Sequence, residues 1–192
     1  MESKANGALM RSAIIGVWAR AKPIEEIIKI GRQEAELSHC GPVPQEANGL
    51  YCLIIALALL GLSPNKIFHI AKNANTNKEI AEWFDQANAL ENIDATKNIG
   101  YCKHAFMLVL YFLLNPTNYE QAIKTTLLAG GDTDTNGKIV GSLIGALNGS
   151  SAIPDYMLKP VTTFDCVSTE TGHIRPGKYS VARAIELIKY LV

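Results

Sequence analysis

Two apolar runs dominate the chain, LYCLIIALALLGL over residues 50–62 and AFMLVLYFLL over 105–114. Both are shorter than the roughly 20 residues a membrane-spanning helix needs, so the pattern predicts two buried core helices. Elsewhere apolar positions recur at helical rather than alternating spacing, over 13–20, 23–36, 65–73, 78–90, 119–129, 136–147 and 180–192. In 23–36, for example, Pro23 falls at the first turn and Ile24, Ile27 and Ile28 share a face. Helix breakers stand where these segments should end: Gly41-Pro42, Gly61 with Pro64, Asn115-Pro116, and Gly130-Gly131. The fold class predicted is all-α.

Between 150 and 179 the periodicity lapses among Pro154, Pro160, Gly172, Pro176 and Gly177, which predicts a long loop. A length of 192 residues with 48% hydrophobic and 19% charged positions fits one domain over 1–192. Eighteen Lys+Arg against eighteen Asp+Glu give a formal net charge of zero. That balance argues against nucleic acid and anionic membranes as partners. Cys40, Cys52, Cys102 and Cys166 contain no C-x-x-C pair and read as buried, reduced thiols. The opening MESKANGALMRSAIIGVWARAKP has no basic segment followed by a clean apolar core, so an intracellular, cytoplasmic protein is expected.

The chemistry concentrates in Ala129-Gly130-Gly131-Asp132-Thr133-Asp134-Thr135-Asn136. Asp132, Asp134 and Thr135 offer two carboxylates and a hydroxyl from one turn of backbone, a donor set suited to a hard cation such as Mg²⁺ or Mn²⁺. The same residues also suit the N-terminus of a helix, where Asp and Thr cap free N–H groups, although one residue would suffice. An EF-hand is excluded because its bidentate glutamate position holds Leu143, and a P-loop is excluded because Lys138 precedes Ile139. Beyond the turn, Gly137, Gly141, Gly145 and Gly149 recur every fourth residue, which predicts close packing of another helix along that face.

GGDTDTN leading into a glycine- and alanine-rich helix resembles the metal motif of the ADP-ribosylglycohydrolase family. Asn6-Gly7-Ala8-Leu9-Met10-Arg11 is similar to that family's N-G-A-x-M-R segment, and Leu37-Ser38-His39-Cys40-Gly41-Pro42 to its T/S-H-x-x-P segment. The resemblance covers most of residues 6–154 and implies a compact, orthogonal multi-helix domain. It further implies that Asp132, Asp134 and Thr135 bind one side of a binuclear Mg²⁺ or Mn²⁺ centre. Asn6 and Gly7 would line the ADP-ribose cleft, and His39 would face the ribose or phosphates, with a histidine hydrogen-bonded at a helix start as the alternative. Trp18, Trp83 and Tyr101 are candidates to stack on adenine, with core packing as the alternative.

The family's other metal half-site, an N-terminal T-D-D-T-type segment, has no counterpart in the sequence, where Asp85, Asp94, Asp155 and Asp165 stand singly. Ala5 replaces a usual glycine and Gly137 a usual alanine. The chain therefore reads as an N-terminally truncated relative, expected to self-associate or to pair with a partner chain carrying the absent segment. The activity implied is divalent-metal-assisted removal of ADP-ribose from modified protein side chains, linked through arginine or serine. The alternatives are an inactive ADP-ribose-binding relative and one half of a split enzyme.

Overall fold

The computed structural model describes residues 3–167 and 174–191. Among the described residues there are ten α-helices and no strand, so the chain is all-α. In order they are α1 Gly7–Ala19, α2 Ile24–Glu36, α3 Pro42–Leu59, α4 Pro64–Ala74, α5 Lys78–Gln86, α6 Cys102–Leu114, α7 Tyr119–Leu128, α8 Thr133–Asn148, α9 Asp155–Thr162 and α10 Val181–Ile188. No described helix is long and apolar enough to cross a membrane. The chain divides into two compact units, 1–152 and 153–192.

The two apolar runs become α3 and α6, both buried along most of their length. Helix α3 starts eight residues before its apolar run, because Pro42 and Pro44 fall in the first turn, where a missing N–H costs nothing. That added segment brings Glu46 and Asn48 into the interior, and both find partners. Glu46 accepts from Arg32 Nε (2.7 Å) and from the Thr76 backbone N–H (2.7 Å), while Asn48 Nδ2 donates to the Gly31 carbonyl (2.7 Å). Helices α1, α2, α4 and α8 all pack on α3. The α2 crossing is glycine on glycine: a Cβ at Gly31 would lie 2.8 Å from Gly49 Cα. Tyr51 on α3 donates its hydroxyl hydrogen to the Ile139 carbonyl (2.9 Å), tying α3 to α8.

Three expectations are corrected. The segment predicted as a loop over 150–179 contains α9, whose Asp155–Lys159 ion pair (2.7 Å) runs along one turn. Prolines at its edge and in its interior leave too little apolar periodicity for the helix to be read from sequence. Residues 168–173 of that segment lie outside the described residues. The glycine stripe of α8 packs tightly at Gly141 alone, where a Cβ would lie 2.8 Å from Tyr119 Oη and 3.3 Å from Ile123 Cδ1. A Cβ at Gly137 or Gly145 would meet nothing within 4 Å. Cys40 is exposed, since it lies in the turn between α2 and α3, whereas Cys52, Cys102 and Cys166 are buried and none of the four is in a disulfide. Burial pushes the Cys52 thiol up to about 12, which keeps it protonated.

Candidate functional site

The acidic turn owes its shape to the two glycines before it. Gly130 and Gly131 have φ of 77° and 73°, and a Cβ at Gly131 would lie only 2.0 Å from the Ala95 carbonyl oxygen. Only glycine satisfies both demands. The turn leads into Asp132 at the N-cap of α8, with Thr133, Asp134 and Thr135 in the first helical turn. Asp132 makes no capping hydrogen bond of ordinary geometry, although the nearby Thr135 N–H helps to stabilise its charge. Asp134 is exposed, Asp132 and Thr135 are half-buried, and Asn136 is buried.

Asn6 reaches this turn from the other end of the sequence. A single antiparallel bridge joins Ala5 to Tyr101, with Cys102 N donating to the Lys4 carbonyl (2.9 Å) and Asn6 N to the Gly100 carbonyl (2.8 Å). It sets Asn6 at the N-cap of α1, yet the Asn6 side chain caps nothing there. Asn6 Nδ2 instead donates to Asp132 Oδ2 (2.8 Å) and to Asn136 Oδ1 (3.3 Å). Burial alone would push the Asp132 carboxyl up. Hydrogen bonds involving Asn6, Thr135 and Asp134 outweigh burial and hold it below the usual carboxylate value. Asp132 is therefore ionised at neutral pH. Thr135 Oγ1 also contacts Met10 Sδ at 3.8 Å, a second link from α8 to α1.

His39 lies against Gly7, where a Cβ would be 3.2 Å from His39 Cε1 and 3.6 Å from Nε2. The dipeptide Asn6-Gly7 thus touches the acidic turn through one residue and His39 through the next. The imidazole sits beside a polar cluster: its Nδ1 is 2.8 Å from Ser38 Oγ, which accepts from Arg11 Nη2 at 2.8 Å. Arg11 Nε pairs with Glu34 Oε1, and Asn48 Nδ2 donates to Glu34 Oε2 (3.0 Å). Partial burial and the Arg11 charge lower the His39 pKa against an opposing pull from Glu34, so its neutral form dominates at pH 7.

Asp132, Asp134 and Thr135 supply only oxygen donors, which suit a hard divalent cation better than a softer one. Among the described residues no group of three or more His, Cys, Asp and Glu could hold a metal ion, so this donor set amounts to two carboxylates and a hydroxyl. The aromatic candidates divide by environment. Trp83 is buried, edge-on to Tyr101 and packed near Phe106, and so belongs to the core. Tyr101 donates its hydroxyl hydrogen to Glu79, and Trp18 is half-exposed with Lys22 Nζ 5.3 Å from its ring centroid. Sequence reasoning assigned no role to Arg11, Glu34 and Asn136. Arg11 and Asn136 stood inside quoted motifs, whereas nothing local marked Glu34 as a partner.

A model of the ADP-ribosylglycohydrolase family matches residues 1–182. A protein of Acanthamoeba polyphaga mimivirus, provisionally named an ADP-ribosyl glycohydrolase, is 26% identical over 189 residues. The match covers 88% of this chain and 56% of that protein, so the chain spans little more than half the length of this relative.

Proposed function

Because the chain belongs to the ADP-ribosylglycohydrolase family, we propose that it hydrolyses the glycosidic bond between the anomeric carbon of ADP-ribose and a modified protein side chain. One observation carries this reading: three motifs far apart in sequence converge through Asn6-Gly7, which meets Asp132 on one side and His39 on the other. In the reaction a bond forms from water oxygen to the anomeric carbon, the bond to the side-chain nitrogen or oxygen breaks, and a water proton leaves with the side chain. Asp132, Asp134 and Thr135 would hold Mg²⁺ or Mn²⁺, which when bound supplies electrostatic orientation of the sugar hydroxyls and of water. Asn6 donates to the Asp132 carboxylate and aims it, and Gly7 leaves room for the His39 ring beside it.

A second reading, an ADP-ribose-binding module without chemistry, is favoured by the donor count. No third acidic or imidazole ligand joins Asp132 and Asp134 among the described residues. The two readings separate in one experiment with arginine- and serine-ADP-ribosylated peptides and Mg²⁺. Release of free ADP-ribose by the chain, abolished in Asp132→Asn/Asp134→Asn, supports the hydrolase. Binding of ADP-ribose with no release supports the module. A Mg²⁺-induced rise in Tm, which scales with RT ln(1 + [L]/Kd), should vanish in the double variant, and an unchanged rise would overturn the metal assignment.

A further inference from the structure

We propose that Ser38 is a positioning residue that holds His39 in the tautomer protonated at Nε2, so that His39 presents a hydrogen-bond donor, and not a base, beside Gly7. Arg11 sets the polarity of the cluster, because its guanidinium has donors only. Its Nη2 donates to Ser38 Oγ (2.8 Å) and to the Glu34 carbonyl (3.1 Å), and its Nε pairs with the Glu34 carboxylate. Arg11 is thereby fixed from two directions, and Ser38 Oγ is an acceptor towards it.

The same oxygen lies 2.8 Å from His39 Nδ1, so one hydrogen must sit between them. Either the ring N–H or the serine O–H supplies it. An oxygen that already accepts from a cation is polarised into a stronger donor and a weaker acceptor. A proton on Nδ1 would also point towards the Arg11 side of the cluster. Both effects direct the serine hydrogen to Nδ1, which leaves the single hydrogen of the neutral ring on Nε2. The charged groups acting on the ring are Arg11 from α1 and Glu34 from α2, and with partial burial their balance favours the neutral form.

The Nε2 edge lies by Gly7, 3.6 Å from where a Cβ would stand. The missing Cβ of Gly7 leaves space beside that edge, and the preceding residue, Asn6, donates to Asp132 of the acidic turn. A protonated Nε2 has no lone pair with which to accept a proton from water, so His39 recognises an acceptor oxygen. That the oxygen belongs to a phosphate or hydroxyl of ADP-ribose rests on the functional reading above. The tautomer itself does not.

The test uses the full chain labelled with ¹⁵N and long-range ring correlations at pH 7, which report which histidine nitrogen carries the proton. The expected result is protonated Nε2 and bare Nδ1 for His39, a mixture of tautomers in Ser38→Ala, and retention of the native form in Ser38→Thr. Ser38 is exposed, so the alanine variant is expected to stay folded. A proton on Nδ1 in the unmodified chain, or an unchanged ring in Ser38→Ala, overturns the proposal. Titration with ADP-ribose is the second arm: Kd should rise about twofold in Ser38→Ala, the inverse of the fraction of rings left in the competent tautomer, and recover in Ser38→Thr. Equal affinity in the alanine variant would overturn the positioning role. Failure of the unmodified chain to bind ADP-ribose at all would instead sink the functional reading, while the ring spectrum still decides the tautomer.

Discussion

Glu79 accepts from Lys4 Nζ through both oxygens (3.0 and 2.7 Å) and from the Tyr101 hydroxyl; Tyr101 is part of the bridge that sets Asn6, and Lys4 adjoins it. Burial would push the Glu79 carboxyl up, but the hydrogen bonds from Lys4 and Tyr101 prevail and hold it below its ordinary value of 4.5. A depressed folded-state pKa contributes stability that is complete above pH 4.5 and is lost as pH falls through the lower, folded value. Glu79→Gln should therefore lower Tm at pH 7 by the equivalent of about 1 kcal/mol or less, since the Lys4 pair is exposed. Below pH 4.5 the gap between variant and parent should narrow, and parallel Tm curves from pH 7 to pH 3 would refute the assignment. At this scale the acidic turn was legible because its residues are adjacent. The bond from Asn6 to Asn136 was not, because its partners stand 130 positions apart.

Helix α8 and the turn before it carry glycines in three different environments, and substitution by alanine should separate them. Gly131, just before the helix, has positive φ and faces the Ala95 carbonyl, so Gly131→Ala should cost about 2–4 kcal/mol. Gly137 and Gly145 have open space around a new Cβ, so alanine there should gain up to about 1 kcal/mol from helix propensity. At Gly141 the approach of Tyr119 and Ile123 should cancel that gain. Urea midpoints at constant m-value would rank the four variants, and stabilisation at Gly131 would refute the account of the turn. The spacing of these glycines was visible in sequence. Which of them faces another helix depends on the placement of α7.

The buried hydrophobic cluster of the molecule runs from Leu9 to Ile144, wholly within the first compact unit. Cys166 is buried in the second unit but lies outside that cluster. A chain ending at Ala152 should therefore keep its helical circular dichroism and melt cooperatively within a few degrees of the full chain. A broad, non-cooperative melt would show that residues 153–192 complete the core. The one-domain reading of the sequence followed from length and composition, which report how much core a chain can build and not where contacts thin out along it.

Local patterning was enough to determine the all-α class, the two core helices and the oxygen-rich turn, because periodicity, capping and glycine conformation act over a few residues. It did not determine where α3 begins, since the upstream turn carries Glu46 and Asn48, whose burial depends on Arg32, Thr76 and Gly31 elsewhere. Nor did it determine that α9 forms among prolines. The meeting of Asn6 with Asp132 across 126 positions, and of Gly7 with His39, was decided only when α1, α2 and α8 packed around α3. Contacts between distant residues depend on the packing of whole helices, and no short stretch of sequence encodes that.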